Sequence, residues 1–172
     1  MSTAAAAPSY ASVDRATQLP TYLGVGLFLL LLLYHFTPLH WPRLDAWQQQ
    51  ELFRRYTGLA LLIYLALQWW LTLVRITPRL SRLHAPLLQL HRWAGALTPV
   101  FFLLHCPTLG YGFLAVLSIS LLANFVLGLL NVRALRAAHP GWYLAWFITH
   151  AGASVLITAL ALLHAWIVFY YK

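Results

Sequence analysis

Two histidines stand fourteen residues apart in each of two strongly apolar stretches of the chain. The first stretch, HRWAGALTPVFFLLH, covers 91–105, and the second, HAGASVLITALALLH, covers 150–164. Fourteen residues at about 100° each complete nearly four helical turns, so both histidines of a stretch lie on one face of a helix. They are separated by roughly 21 Å along the helix axis. Neutral imidazole is the commonest metal ligand in proteins, so this spacing suggests two metal sites at two levels.

The direction of the two helices decides which histidines meet. Only one further apolar segment separates His105 from His150, so we expect the two histidine-bearing helices to run parallel. Parallel packing brings His91 level with His150 and His105 level with His164. Two facing imidazoles supply both axial ligands of a haem iron, and an iron with both positions filled is suited to electron transfer. The sequence therefore predicts two haem b groups, one for each pair.

Haem propionates need cations at the membrane edge. Arg79, Arg82 and Arg92 are the candidates beside the first pair. Arg54 and Arg55 are the candidates beside the second pair. We therefore predict that the arginines close to the apolar stretches help to bind the cofactors.

A histidine-lined path for transition metals is a weaker explanation of the same residues. Such a path also needs carboxylates, methionine or cysteine near the histidines. The only acids are Asp14, Asp45 and Glu51, all outside the apolar segments, and Cys106 is the only cysteine. The residue types therefore favour haem over a bare metal ion.

The composition of the chain indicates whether it is surrounded by water or by lipid. Of 172 residues, 62% are hydrophobic and 8% charged, whereas a soluble domain carries roughly a quarter charged residues. We therefore predict an integral membrane protein in contact with lipid. The net charge of +8 then reflects topology and headgroup contacts. The sequence contains neither a basic tail nor a P-loop or dinucleotide fingerprint, so we expect no nucleic-acid partner.

The predicted fold is all-α, with five transmembrane helices and with the haems held between the third and the fifth. Residues 1–18 are expected to form a polar tail and residues 19–172 a five-helix domain. The segment from residue 40 to residue 55 is predicted to include a short amphipathic helix at the interface. Pro99 predicts either a kink in the third span or a tolerated proline whose freed backbone group bonds to Thr98. The predicted spans are 19–36, 56–76, 86–106, 113–130 and 142–170.

The distribution of cations predicts the orientation, because short inner loops are enriched in Lys and Arg. With five spans, one side holds seven cations and the other holds four. The first group is Arg15, Arg75, Arg79, Arg82, Arg92, Arg133 and Arg136, and the second is Arg43, Arg54, Arg55 and Lys172. We therefore expect the N-terminus inside and the C-terminus outside.

Over about residues 50–170 the chain resembles the ferric reductase-like transmembrane family. The family includes the membrane cytochrome of NADPH oxidases, ferric reductases and the bacterial haem subunit of methionine sulfoxide reductase. The resemblance lies in RYTGLALL at 55–62, in ITPRL at 76–80, in the stretch 91–105 and in the ITH…LLHAW pattern at 148–166. It implies a membrane cytochrome that conducts electrons.

The resemblance also implies roles for the histidines. His91 and His150 would bind the inner haem, and His105 and His164 the outer haem. The sulfoxide reductase subunits typically have arginine at the position of His91, so this chain follows the oxidase and ferric reductase pattern there. Those enzymes continue into a sixth helix and into flavin and NADPH domains, which this sequence does not show. The expected electron donor is therefore a separate protein or a quinol.

We accordingly predict an electron-transfer subunit of an oxidoreductase in a bacterial cytoplasmic membrane. Electrons would pass from a cytoplasmic donor to an outer acceptor, which could be a periplasmic redox protein, ferric iron or a quinone. One alternative is a small cytochrome b subunit of a larger respiratory or photosynthetic complex that exchanges electrons with quinone. A second alternative is a structural membrane subunit whose histidines bind nothing.

Overall fold

The helices of the structure follow the apolar segments of the sequence. A computed structural model describes residues 10–38, 41–130 and 139–171, and these residues form helices and connecting turns without a β-strand. The predicted all-helical class is therefore confirmed. The α-helices are α1 (Tyr10–Phe36), α2 (Pro42–Gln49), α3 (Glu51–Gln68), α4 (Trp70–Ile76), α5 (His84–Ala96), α6 (Thr98–His105), α7 (Phe113–Leu129) and α8 (Pro140–Tyr170), and a 3-10 helix covers Pro78–Leu83 between α4 and α5.

Three stretches of helix are long and apolar enough to cross a membrane: Gln18–Phe36, Glu51–Ile76 and Gly141–Tyr170. Helix α7 is also apolar but has only 17 residues. In the most apolar part of α8, only 6% of the residues are buried inside the protein. An outward apolar surface of this extent is stable in lipid and not in water. The structure thus indicates a membrane protein.

Helix α1 is longer than the first predicted span. It begins at Tyr10, before the predicted start at residue 19, while residues 1–9 lie outside the described part of the chain. An established helix extends at little cost, since each added residue gains a hydrogen bond without a new nucleus. The helix ends at Phe36 as predicted, because Pro38 disfavours helical backbone at Thr37. The Thr37 hydroxyl donates to the carbonyl oxygen of Leu33 at 2.7 Å.

The third predicted span is present as two helices, α5 and α6, which are interrupted at Leu97. Pro99 causes the interruption, because its nitrogen carries no hydrogen to donate to the preceding turn. The Thr98 hydroxyl donates instead to the carbonyl oxygen of Gly95 at 2.7 Å. The Tyr64 hydroxyl of α3 lies 2.6 Å from the Thr98 hydroxyl. Both predicted effects of the proline are therefore present in the same turn.

Polar contacts tie the interrupted helices to their neighbours. The predicted short helix after the first span is α2, which has Pro42 in its first turn. Gln48 of α2 donates from Nε2 to the carbonyl oxygen of Leu103 at 2.6 Å. Trp69, between α3 and α4, donates from Nε1 to the Thr158 hydroxyl at 2.9 Å. These bonds fix α6 to α2, and α8 to the junction of α3 and α4.

The core lies midway between the two levels of histidines. Ile157 stands seven residues after His150 and seven before His164, and only 2% of it is exposed. Phe102, with 1% exposed, packs in the same cluster. The buried members of this cluster are Leu31 of α1, Phe102 of α6, Leu121 of α7 and Ile157 of α8. A dry apolar layer therefore separates the histidine levels.

Two glycines of α1 give a direct test of its packing. A Cβ atom at Gly24 would lie 2.9 Å from Cδ2 of Leu129 and 3.4 Å from Cα of Ala96, whereas a Cβ at Gly26 would meet nothing within 4 Å. We expect Gly24→Val to reduce the free energy of unfolding by about 1–3 kcal/mol, because overpacking forces α1 outward. Gly26→Val is the matched control and should leave it nearly unchanged. Thermal unfolding in detergent measures both, and equal midpoints would contradict the packing.

Candidate functional site

The structure brings the four histidines of the apolar stretches together as two facing pairs. The ring centroids of His91 and His150, the first pair, are 6.3 Å apart with an angle of 88° between the ring planes. The ring centroids of His105 and His164, the second pair, are 6.2 Å apart with an angle of 62°. All four side chains are half-buried. In each pair, one ring comes from α5 or α6 and the other from α8.

This spacing has a chemical meaning. A metal ion lies roughly 2.0–2.1 Å from an imidazole nitrogen, and that nitrogen lies about 1.2 Å from its ring centroid, so two rings on opposite sides of one ion have centroids about 6.4 Å apart. The observed separations are 6.3 Å and 6.2 Å. Each pair is thus spaced as two ligands of a single metal ion are.

The number of ligands separates a haem iron from a bare ion. Among the residues that the structure describes, no group of three or more His, Cys, Asp or Glu side chains could hold a metal. A bare zinc ion needs about four ligands, and at least three come from the protein. A haem iron needs only two axial ligands from the protein, because the macrocycle supplies the others. The donor set of each pair therefore fits haem.

The helices that carry the pairs leave an interval between their backbones. Helix α5 packs closely on α1, α4 and α7, and α6 packs closely on α1 and α3. Helix α8 packs mainly on α7, and among the described helices it makes no comparable approach to α5 or α6. The imidazoles reach across this interval. A flat macrocycle would lie in the same place.

His105 is held by the start of α3. Its Nδ1 lies 3.3 Å from the Thr57 hydroxyl oxygen, and that hydroxyl donates its single hydrogen to the carbonyl oxygen of Phe53 at 2.8 Å. The Thr57 oxygen therefore accepts a hydrogen from Nδ1 of His105. This tautomer leaves Nε2 of His105 with a lone pair for a metal. Gly58 makes room for the ring, since a Cβ there would lie 2.8 Å from Cε1 of His105.

His150 is held by its own helix and by α7. The Trp146 ring stacks on the imidazole, with centroids 5.4 Å apart and planes at 7°. Trp146 is itself fixed, because its Nε1 donates to the carbonyl oxygen of Leu127 at 2.8 Å. A Cβ at Gly128 would lie at an ordinary contact distance of 3.4 Å from Cε1 of His150. The second ring of the first pair is therefore fixed in its plane.

The first pair contains unpaired polar atoms. Nδ1 of His91 and Nδ1 of His150 are both buried and make no hydrogen bond of good geometry with the described residues, although the backbone carbonyls of Gln68 and Asn124 lie near the two rings. An unsatisfied buried nitrogen costs about 1–3 kcal/mol. If Nδ1 of each ring carries the hydrogen, Nε2 keeps a lone pair for a metal.

The predicted arginines lie at the end of the bundle from which α5 begins. Arg79 and Arg82 are exposed on the 3-10 helix, and Arg92 is half-buried on α5 beside His91. They lie near the first pair along the chain. Their predicted role toward the cofactor remains a prediction.

Arg75 is a candidate that sequence reasoning treated only as a marker of the membrane edge. Its charge acts on both His91 and His150. Its Nε donates to Nε2 of His84 at 3.3 Å, and its guanidinium lies 6.0 Å from the ring centroid of Phe147. At the other level the charge of Arg54 acts on His105, while Arg55 forms an ion pair with Glu51. Each pair therefore has a cation nearby.

Thr57, Gly58 and Trp146 are also residues that sequence reasoning did not assign to the site. Trp146 precedes His150 by one helical turn, and this spacing was a usable signal. The contact between Thr57 and His105 depends on how α3 meets α6, for which the sequence carries no local signal.

Comparison with known proteins does not identify the chain. No protein family, curated protein or solved structure matches it. The resemblance to the ferric reductase-like family therefore rests on the quoted motifs alone. The function has to be argued from the geometry of the two pairs.

Thr57 offers a test of the second pair. We expect Thr57→Val to weaken haem binding at His105 and His164 about 10–100-fold, because the hydrogen-bond acceptor that fixes the tautomer is lost. Thr57→Ser is the matched control, since it keeps the hydroxyl. The measurement is a titration of haem-free protein in detergent with haem, followed by absorbance. Equal affinities in the two variants would show that Thr57 does not position His105.

Proposed function

We propose that the chain is a transmembrane electron-transfer protein that binds two haem b groups. His91 and His150 would ligate one iron, and His105 and His164 the other. The observation that carries the proposal is the spacing of the two ring pairs, 6.3 Å and 6.2 Å between centroids. The two-ligand donor sets and the resemblance to ferric reductase-like proteins support it further.

Bound haem supplies one-electron chemistry, and two axial imidazoles leave its iron without an open position for a substrate. The residues of the chain hold the rings in place. Thr57 fixes the tautomer of His105, Gly58 leaves space for that ring, and Trp146 stacks on His150. Phe102 and Ile157 exclude water between the two levels.

The separation of the levels suits transfer across a bilayer. Fourteen residues of helix extend about 21 Å, which is most of a hydrocarbon core of about 30 Å. An electron that moves from one pair to the other therefore crosses most of the apolar barrier. A protein that used its haems at one surface would not need this spacing.

The proposed topology has five spans. They are α1, α3 with α4, α5 with α6, α7 and α8, and the N-terminus is inside. Arg133 and Arg136, which contribute to this orientation, lie outside the described residues. The first pair then lies near the cytoplasmic face and the second near the outer face. We place the protein in a bacterial cytoplasmic membrane, with a separate donor protein or quinol inside and an acceptor outside.

The cations complete the proposed sites. Arg75 joins Arg79, Arg82 and Arg92 as a partner for the propionates of the inner haem, because its charge reaches both imidazoles of the first pair. Arg54 takes the corresponding place at the outer haem. Guanidinium groups suit this role, since they pair with carboxylates through two hydrogen bonds.

The first experiment is a dithionite-reduced minus oxidised spectrum of the purified chain, with extracted haem counted per polypeptide. We expect two non-covalent b haems. His91→Ala should remove the inner haem and keep most of the outer one, and His105→Ala should do the reverse, because each loses one axial ligand. His139→Asn is the control, since asparagine keeps the N-terminal cap that His139 gives α8.

The outcomes of this experiment separate the possible functions. Haem-free protein from cells supplied with haem would contradict the proposal and favour the structural subunit. Equal loss of both haems in every folded single variant would contradict the assignment of two independent pairs. The folded state of each variant is checked by its thermal unfolding.

Gly58 and Gly128 give a second test, because each lies against one imidazole. Gly58→Ala would place a Cβ 2.8 Å from Cε1 of His105, so we expect it to weaken binding of the outer haem about 10–100-fold. Gly128→Ala would place a Cβ 3.4 Å from Cε1 of His150, an ordinary contact, and should leave both haems bound. Haem content and affinity measure both variants. Unchanged outer-haem affinity in Gly58→Ala would contradict ligation by His105.

A further inference from the structure

Two adjoining clefts of opposite polarity meet at Tyr34. The polar cleft, of about 460 Å³, lies between the end of α1, α2 and the segment after α6. Tyr34, His35, Asp45 and Gln49 contribute its polar groups together with Gln48. The apolar cleft, of about 330 Å³, lies between the leucines of α1 and the residues Pro99, Val100 and Leu103 of α6. Tyr34 lines both clefts, which therefore adjoin there, and together they are called the groove.

The groove lies beside the second imidazole pair. Leu103, which lines the apolar cleft, precedes His105 by two residues, and Pro107, which lines the polar cleft, follows it by two. Gln48 holds this edge in place, since its Nε2 donates to the carbonyl oxygen of Leu103 at 2.6 Å. Residues two apart on a helix point to different faces, so a molecule in the groove is separated from the outer haem of the proposed function by about the thickness of one helix, roughly 10 Å.

We propose that this groove binds an isoprenoid quinone as the electron acceptor. The inference rests on the proposed function and names the acceptor of its outer haem. The headgroup would lie near Tyr34, Asp45 and Gln49, and the isoprenoid tail near Val100 and the leucines of α1. Quinone carbonyl oxygens accept hydrogen bonds, and the amide and imidazole groups of the polar cleft can donate them, while the Tyr34 hydroxyl orients Asp45 by donating to it.

The charges of the groove favour a quinone over a phospholipid. Among the described residues that line the two clefts there is neither a lysine nor an arginine, while Asp45 contributes a carboxylate. A phosphate headgroup in this place would face a negative charge without a compensating cation. An uncharged quinone headgroup does not incur that repulsion.

The reaction balances with the groups of the proposed site. With haem bound at both imidazole pairs, the protein would supply two electrons, one from each reduced haem. The quinone takes up these two electrons and two protons, so an O–H bond forms at each carbonyl oxygen and a quinol results. Asp45, which accepts a hydrogen bond from the Tyr34 hydroxyl at 2.9 Å, and His35 lie where protons from the outer solvent would arrive.

The test uses the dithionite-reduced, haem-loaded chain, freed of excess reductant and mixed anaerobically with decylubiquinone. We expect the haems to reoxidise, and we expect Tyr34→Phe and Asp45→Asn to slow this step about tenfold, since each loses one polar contact of the headgroup site. Tyr22→Phe is the matched control. Tyr22 lies on the same helix and bonds to Gln18, away from both clefts, and should behave as the unchanged protein does.

A binding titration separates this inference from the proposed function. Decylubiquinone is titrated into the oxidised chain and followed by tryptophan fluorescence, and Val100→Trp, which fills the apolar cleft, should weaken binding at least about tenfold. This readout does not need haem, so it decides the inference even if the chain proves haem-free. Three results would each overturn the quinone site. The first is equal affinity for decylubiquinone in Val100→Trp and the unchanged protein, and the second is equal reoxidation rates in all variants. The third is a tightly bound phospholipid that decylubiquinone does not displace.

Discussion

The arrangement of the bundle depends on imidazoles that face each other across an interval between α8 and the pair α5 and α6. His91 faces His150 with ring centroids 6.3 Å apart, and His105 faces His164 with ring centroids 6.2 Å apart. The two helices must therefore run parallel and stay in register, and they must stay apart by the length of two rings. Helix α7 makes this possible, because it returns the chain across the bundle and packs along α8. The Asn124 side chain anchors this packing by donating to the Ser154 hydroxyl at 2.9 Å.

The histidines on the two sides of the interval stay level with each other although one of the two helices is broken. Helix α8 runs without interruption from Pro140 to Tyr170. The helical segment that faces it is divided at Leu97 into α5 and α6. Thr98 and Tyr64 bond within the broken turn and hold its two halves in a defined relation. The centroid separations at the two levels consequently differ by no more than 0.1 Å, 6.3 Å against 6.2 Å. The proline thus changes the path of the helix without disturbing the alignment of its histidines.

The features that the sequence predicted depend on helix periodicity. The features that it did not predict depend on contacts between residues of different helices. The spacing of fourteen residues and the single intervening segment predicted which imidazoles face each other, because helix geometry is local. The end of α1 at Phe36 followed from Pro38 in the same way. The contacts of Thr57 with His105 and of Arg75 with the first pair join residues distant in the chain, so periodicity carries no information about them. The break at Trp69 has no proline or glycine beside it, and no local signal marked it.

The two levels are chemically different, and this difference bears on the direction of transfer. The first pair lies beside Arg75 and near the arginines of the 3-10 helix. The second pair lies beside a groove whose polar part contains a carboxylate and an imidazole that can handle protons. A reaction that couples electrons to protons, such as quinone reduction, needs proton-carrying groups at the place where the electrons leave. In the proposed function, an electron that entered at the first pair and left at the second would therefore meet these groups at the end of its path, whereas the reverse direction would deliver it to the guanidinium groups beside the first pair.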